Sequence, residues 1–235
     1  MLQKFRRIFW RTSDREKTIL TRIRKILNFL QMDDIWILDD GTGKGLIARG
    51  LIKQGHIIGI DQTSSFLIKS KKNNLEKPEF IMAVGEYLPF RPNSFHVIIS
   101  QMVLEHVFNV KKYLEEIYFV LNEKGIVYLA LPNRLYPIEP HTNIPFITYL
   151  PHILFQKIVN AKMRKVFPLN CLNYNILKVI SKVGFRRVRD LVPLLLKNAE
   201  QFYPSVPGFI CRFLTRTYRI LCFFIPTWIW LFKKN

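Results

Sequence analysis

Closely spaced glycines and acidic residues form the part of the sequence best suited to bind a small molecule. Gly41, Gly43 and Gly45 directly follow an apolar run that ends in Asp39 and Asp40. Glycines at such a point permit a tight turn from a strand into a helix, and they let a ligand lie against the backbone. The sequence therefore predicts a loop that binds a nucleotide-like ligand, with a helix N-terminus facing an anionic group.

A further carboxylate follows at a distance typical of nucleotide-binding folds. Asp61 stands 22 residues after Asp39, at the end of the next apolar run. A carboxylate at that place can accept hydrogen bonds from both hydroxyls of a ribose. The dinucleotide fingerprint would need a third glycine at position 46, where the chain has Leu46, so the sequence disfavours NAD as the ligand.

The elements that must position this loop can be read from alternating apolar and amphipathic segments. Short runs rich in β-branched residues predict strands at 35–40, 56–61, 79–84, 95–100 and 125–131. Helical patterns lie before and between them, at 13–30, 45–54, 64–75 and 110–122. A later helix is predicted at 173–185, and the runs "FRRVRDLV" and "TWIWLF" predict the last strands. This alternation predicts right-handed βαβ units and a doubly wound α/β fold.

The spacing of Asp39, the three glycines and Asp61 resembles the S-adenosylmethionine (SAM) site of the class I methyltransferases. Residues 85–107, around the fourth strand, and 120–134, around the fifth, extend the resemblance. It is strong over 33–134 and is nearest to the small-molecule and quinone-biosynthesis methyltransferases. The resemblance implies SAM as the cofactor and a mostly parallel, seven-stranded Rossmann-like sheet with helical cap insertions.

The resemblance also implies which residues bind the cofactor, all of them at the carboxyl ends of strands: Asp39, Gly41, Thr42, Gly43, Gly45, Asp61, Gln62, Gly85, Glu86, Ser100 and Gln101. The glycines would line the methionine part of SAM, and Asp39 would either fix the loop or reach the amino group. Asp61 would hold the ribose. Gly85 and Glu86 would lie beside the adenine, and Ser100 and Gln101 would face the centre of methyl transfer.

Four regions are expected along the chain. Residues 1–32 form a basic amphipathic helical region, 33–134 the SAM-binding core, 135–170 a substrate cap, and 171–235 the C-terminal part of the sheet with a basic, apolar helical insertion. The cap segment is rich in proline and aromatic residues, which favours an apolar or amphipathic small-molecule acceptor.

Methyl transfer from a sulfonium is an in-line displacement that requires positioning and a dry pocket, and it requires no metal. A hydroxyl acceptor would need a base, for which His141 and His106 are the candidates, whereas an amine or activated carbon would need none. The three cysteines contain no CxxC pair, so the sequence supports neither a disulfide framework nor a zinc site. With no visible secretory signal, we expect a cytoplasmic protein.

The net charge of +19 is concentrated at the two ends of the chain. Residues 1–30 hold nine Lys or Arg against two Asp or Glu, and residues 157–235 hold 15 against two. Large apolar residues accompany these charges, such as Phe9 and Trp10 near the N-terminus and Phe213 within the later basic segment. This mixture is typical of peripheral contact with an anionic membrane, and it predicts a lipid-like acceptor at the inner membrane face.

Methyl transfer from SAM to a small, apolar or lipid-linked acceptor is the favoured function. One alternative is an RNA methyltransferase whose basic N- and C-terminal segments bind RNA. Methylation of exocyclic amines of DNA or RNA bases is disfavoured, because the fourth strand ends in Ser100-Gln101-Met102-Val103 and lacks an Asn/Asp-Pro-Pro-aromatic motif. A second alternative is a SAM-fold module that binds without catalysis. The sequence leaves the acceptor and the oligomeric state open.

Overall fold

The structure is a computed structural model that describes residues 12–29, 35–63, 78–164, 169–170, 175–197, 208–221 and 227–235. The helix predicted over 64–75 and the aromatic residues of the first 11 positions lie outside the described residues.

The described residues form a sheet of seven strands with helices on both sides. The strands are β1 (Ile35–Asp40), β2 (Gly55–Asp61), β3 (Glu79–Met82), β4 (Phe95–Gln101), β5 (Leu121–Pro132), β6 (Phe185–Asp190) and β7 (Thr227–Lys234). The helices are α1 (Thr12–Phe29), α2 (Leu46–Gly50), α3 (Val110–Val120), α4 (His152–Met163), α5 (Ile176–Val183), α6 (Val192–Lys197) and α7 (Gly208–Leu221).

The strand order is β3-β2-β1-β4-β5-β7-β6. The pairs among β1 to β5 are parallel, whereas β7 runs antiparallel to both β5 and β6. This arrangement confirms the predicted doubly wound, mostly parallel seven-stranded fold. From β1 the chain adds β2 and β3 on one side and then β4 and β5 on the other, so the order of the strands switches between β1 and β4. Open α/β sheets bind ligands at the carboxyl ends of the strands beside such a switch point.

Apolar side chains cover both faces of the sheet, which explains the near-continuous hydrophobic runs in the sequence. One core lies between the sheet and the helices α3 and α5, and it contains the fully buried Trp228 and Trp230 of β7. The other core joins α1, α2 and α6 to the opposite face. Because both faces are filled, the polar groups of the central strands concentrate at the strand ends.

Residues 133–164 leave the sheet after β5 and form a cap. An isolated bridge pairs Ile138 with Pro145, a 3-10 turn follows at Ile147–Tyr149, and α4 completes the segment. The cap has a small core of its own, built from Ile147, Phe155, Val159 and Leu169. The exact limits of the expected regions stay a prediction.

Several predicted element boundaries were wrong. The strand predicted at 125–131 begins at Leu121, and the helix predicted at 173–185 ends at Val183. The helix expected at 45–54 is only the short α2 and a 3-10 turn at Ile52–Gln54, because Leu51 between them is not helical. Gly55 has φ of 149°, and a Cβ there would lie 2.2 Å from the carbonyl oxygen of Ile35, so the turn requires glycine. The strand predicted at 79–84 ends at Met82. The helix predicted at 110–122 ends at Val120, because Leu121 begins β5.

Within the described part of the chain, no helix combines the length and the hydropathy needed to cross a bilayer.

Candidate functional site

The glycine loop between β1 and α2 is fixed from inside the protein by Asp39. Its buried carboxylate oxygen Oδ2 accepts hydrogen bonds from Thr42 Oγ1 at 2.6 Å and from the backbone N–H of Ala48 at 3.2 Å. The N–H of Thr42 also donates to the carbonyl of Ile60 in β2 at 2.8 Å. Of the two roles that the sequence left open for Asp39, these contacts perform the first, which is to fix the loop.

The three glycines of the loop adopt left-handed backbone conformations, with φ of 70° at Gly41, 53° at Gly43 and 73° at Gly45. Their surroundings differ. A Cβ on Gly41 would lie 2.4 Å from Cγ2 of Val103, whereas a Cβ on Gly43 would meet only a backbone oxygen at 4.0 Å. Gly43 therefore faces open space that a ligand can occupy, while Gly41 packs against the loop after β4.

Asp61 ties the end of β2 to the same loop. One carboxylate oxygen accepts the N–H of Gly43 at 2.9 Å, and the other accepts the N–H of Thr63 at 2.8 Å. Each oxygen of a carboxylate has a second lone pair, so Asp61 can still accept hydrogen bonds from a ligand. Gln62 beside it is exposed. The ribose-binding role of Asp61 stays a prediction.

Asp40 and Tyr113 are residues of the site that sequence reasoning missed. Oδ2 of Asp40 is buried and makes no hydrogen bond among the described residues, although Tyr113 and the backbone of Gly41 interact with the carboxyl group. A Cβ on Gly85 would lie 3.1 Å from this oxygen and 2.4 Å from the ring of Tyr113. The hydroxyls of Tyr113 and Ser100 are 2.6 Å apart. Asp40, Gly85 and Ser100 thus meet at Tyr113, which no sequence motif indicated.

Burial raises the pKa of both Asp39 and Asp40 from 3.8 to about 7. Hydrogen bonds oppose this shift, and repulsion from neighbouring carboxylates adds to it, with Asp61 acting on both and Glu86 on Asp40. Burial also raises the pKa of Tyr113 well above its usual value. A site that crowds acidic groups in this way favours a cationic ligand.

These features fit SAM, which carries a sulfonium and an ammonium group. The unpartnered oxygen of Asp40 can accept a hydrogen bond from a cationic donor, and the open space at Gly43 leaves room beside the loop. The remaining lone pairs of Asp61 suit hydroxyl donors. The helix α2 has only five residues, so its dipole contributes less than the sequence pattern suggested.

Glu86 and Gln101 make contacts within the protein. Glu86 is buried, and its carboxylate accepts the N–H of Phe108 at 2.7 Å, which fixes the loop after β4. The side-chain oxygen of Gln101 accepts a hydrogen bond from the hydroxyl of Tyr128 at 3.3 Å. Their expected places beside the adenine and the methyl group stay predictions.

The fold brings His106 and His141 together, although they are 35 positions apart in the sequence. Their rings are 5.1 Å apart and nearly perpendicular. Nδ1 of His141 lies 2.8 Å from Oε1 of Glu139 in the same cap turn. Burial alone would raise the pKa of Glu139, but hydrogen bonds from His141 and Thr142 outweigh burial and lower it. Glu105, next to His106, is fully buried.

Substitution of Gly43 should separate ligand binding from folding. Alanine at a left-handed position costs about 1–2 kcal/mol of backbone energy, and at Gly43 it adds no clash inside the protein. We therefore expect Gly43→Ala to fold and to lose most of its SAM affinity, because the methyl group enters the open space. Thermal unfolding with and without SAM measures both effects.

Gly41→Ala is the matched control, because its Cβ collides with Val103. We expect it to destabilise the protein by more than Gly43→Ala does, and we expect Gly41→Ala with Val103→Ala to recover part of that loss. Full SAM affinity in Gly43→Ala would show that the cofactor does not lie against this loop.

The affinity for SAM should rise between pH 6 and pH 8. Asp39 and Asp40 ionise as the pH passes about 7, and their ionised forms attract the cationic ligand. A charged hydrogen-bond partner adds roughly 1 kcal/mol over a neutral one, so we expect about a fivefold to tenfold gain by calorimetry. Because folding raises both pKa values from 3.8 to about 7, the folded state also loses stability as the pH rises from about 4 to about 7.

Asp40→Asn should flatten this pH profile, whereas Glu79→Gln, at an exposed carboxylate of β3, should keep it. An affinity that falls as the pH rises would contradict this description of the site.

Comparisons with known proteins show a methyltransferase domain and its fold. The sequence profile of the family described as "Methyltransferase domain" matches residues 38–129, which span β1 to β5 and the glycine loop. The ubiquinone biosynthesis O-methyltransferase of Rickettsia bellii is 33% identical over 150 residues, covering 57% of this chain and 62% of the relative. The chain thus spans less than two thirds of that relative. The mitochondrial arginine-hydroxylase NDUFAF5 of Mus musculus is 34% identical over 91 residues, covering 38% of this chain and 26% of the relative.

Solved structures share the fold over nearly the whole chain. An S-adenosylmethionine-dependent methyltransferase from Mesorhizobium loti superposes with a TM-score of 0.64 at 13% identity, covering 89% of this chain and 96% of that one. The [4+2]-cyclase SpnF superposes with a TM-score of 0.56 at 16% identity, covering 91% and 81%. Residues 38–129 match a methyltransferase domain, the described residues share the fold of a SAM-dependent methyltransferase, and this similarity implies SAM as the cofactor.

Proposed function

We propose that this protein transfers the methyl group of SAM to a hydroxyl oxygen of a small, apolar, lipid-linked acceptor. The observation that carries the proposal is the pair His106 and His141, whose rings lie 5.1 Å apart between the loop after β4 and the cap. A hydroxyl acceptor needs a base, and imidazoles serve as bases near neutral pH. The similarity to proteins named ubiquinone biosynthesis O-methyltransferase supports the same class of acceptor.

The segments that hold the two histidines expose several large apolar side chains. Phe108 is 85% exposed, Ile153 71% and Phe146 63%, and Tyr149 and Leu154 are also exposed. Exposed apolar residues concentrated in one region mark a binding surface more often than scattered ones do. An acceptor with a hydrophobic tail can lie against this surface while its polar head reaches the histidines.

The chemistry assigned to the protein is positioning and proton removal. When bound, SAM supplies a methyl carbon whose bond to sulfur breaks, with its electron pair left on sulfur, as the new bond to the acceptor oxygen forms. His106 or His141 accepts the proton that the acceptor hydroxyl loses. The contact between Glu139 and Nδ1 of His141 stabilises the imidazolium that forms.

The proposal places the protein in the cytoplasm, at the inner face of a membrane. Helix α7 presents Arg212 and Arg216 to solvent, together with Phe209 and Phe213, which are 67% and 58% exposed. Exposed arginines and aromatics on one helix suit the surface of an anionic membrane. A lipid-linked acceptor would be available at that surface.

The test is methyl transfer from isotopically labelled SAM to a prenylated catechol held in anionic vesicles. We expect a labelled methyl ether, detected by mass spectrometry, and slower transfer when the vesicles are neutral. Loss of a general base costs about 10²–10⁴ in rate, so His141→Gln should lose activity by that order. His152→Gln, at an exposed histidine of the same cap, should keep its activity.

The SAM affinity of each variant is measured alongside, so that a lost cofactor site is not mistaken for a lost base. Transfer to RNA but not to the prenylated catechol would overturn the proposed acceptor. Equal rates in the wild type and in His141→Gln would overturn the role of the histidine pair.

A further inference from the structure

We propose that Glu105, His106 and His141 form a binding site for a divalent transition-metal cation, best matched by zinc, beside the cofactor site. One potential ligand atom from each of the three residues lies within 4.8 Å of the others. The cysteine pattern gave no indication of such a site, because the cluster is assembled only when the cap folds over the loop after β4. Cation binding goes beyond the proposed function, since it does not depend on methyl transfer.

The donor set decides which cation fits. Two imidazoles and one carboxylate suit zinc and similar transition metals, whereas Mg²⁺ and Ca²⁺ prefer oxygen ligands alone. Tetrahedral zinc with bonds of about 2.0–2.1 Å places its ligand atoms about 3.4 Å apart. Nε2 of His106 lies 4.0 Å from Oε1 of Glu105, so small side-chain rotations would close the site. Three protein ligands leave a fourth position open, as in catalytic zinc sites.

The orientation of His141 supports a role as a ligand. Its Nδ1 contacts Oε1 of Glu139 at 2.8 Å, so Nε2 is the ring nitrogen that would bind the cation. Histidines that bind metals generally place their other ring nitrogen against a carboxylate or carbonyl, which fixes the ring and raises its basicity. Glu139 is itself held by the hydroxyl of Thr142 at 2.7 Å. The cap turn therefore presents His141 in a fixed direction.

The backbone that carries the other two ligands is also fixed. Asn170 donates its N–H to the carbonyl of Glu105 at 2.6 Å, and its side-chain amide donates to the carbonyl of Val107 at 2.7 Å. These contacts hold the segment around His106 from both sides. The carboxylate of Glu105 is fully buried, an environment in which a neighbouring cation stabilises the charged form.

The cation would stand close to the centre of methyl transfer. Glu105 interacts electrostatically with Tyr113, whose hydroxyl lies 2.6 Å from that of Ser100 at the end of β4. A hydroxyl that occupies the open coordination position has its pKa lowered by the metal. This consequence rests on the proposed function: with the cation bound, His106 and His141 would act on the acceptor hydroxyl through the metal, and without it they accept the proton directly.

The test is direct binding of Zn²⁺ and Co²⁺ to untagged protein, without SAM and without acceptor, so that its result is independent of methyl transfer. We expect one equivalent of Zn²⁺ by calorimetry. We also expect Co²⁺ to give the intense d–d absorption of a site with four or five ligands, without a thiolate charge-transfer band. His106→Gln and His141→Gln should each weaken binding at least tenfold, and His152→Gln should not.

No bound Zn²⁺ in the wild type, or equal affinity in the wild type and both histidine variants, would overturn the proposal. A thiolate band would overturn it as well, since it would assign the cation to cysteines. If a variant does not fold, the Co²⁺ spectrum of the wild type decides: an intense band supports the site, and a weak spectrum like that of hydrated Co²⁺ refutes it.

Discussion

The site depends on the hydrogen bonds that tie the glycine loop to the ends of β1 and β2. Asp39 holds the loop from the buried side through Thr42 and Ala48, and Asp61 holds it from the open side through the N–H of Gly43. Parallel pairing aligns the carboxyl ends of β1, β2 and β4, so that Asp40 lies opposite both Ile60 and Ser100. Because the loop is held on both sides, its glycines keep left-handed conformations that leave one face open to a ligand.

The electrostatic character of the site follows from the same arrangement. Strands buried on both faces place their carboxylates at their ends, and there the carboxylates crowd one another in a low-dielectric environment. Burial and mutual repulsion then raise the pKa of Asp39 and Asp40 to about 7. A cationic cofactor relieves the repulsion, so the acidic groups favour SAM over an anionic nucleotide.

Local patterns were enough to predict the core of the fold. Five predicted parallel strands, the glycine loop and Asp61 at the end of β2 all follow from short-range features such as β-branched runs and glycine spacing. The length of α2 was not predictable from periodicity, since the helical pattern continues to Gln54 whereas Leu51 leaves the helical conformation after Gly50. Gly50 packs closely against Leu20 of α1, a contact between distant segments that leaves no local signal.

The rest of the candidate site depends on contacts between distant segments. In the sequence, Tyr113 occupies an ordinary apolar position of a helix. In the structure its hydroxyl interacts with both Ser100 and Asp40. The sequence named His106 and His141 as separate candidates, and only the fold of the cap sets them 5.1 Å apart with Glu139 behind one of them. Such groupings arise from tertiary packing, which no spacing rule in the chain encodes.

The central claim is that this loop and Asp61 bind SAM, and calorimetric titration of SAM into Asp61→Asn tests it most directly. A hydrogen bond to a charged group is worth about 1.5–3 kcal/mol, so the variant should bind SAM roughly 10–150-fold more weakly than the wild type. Glu79→Gln, at an exposed carboxylate of β3, should bind SAM like the wild type. Unchanged affinity in a folded Asp61→Asn, or no binding of SAM to the wild type, would contradict the account.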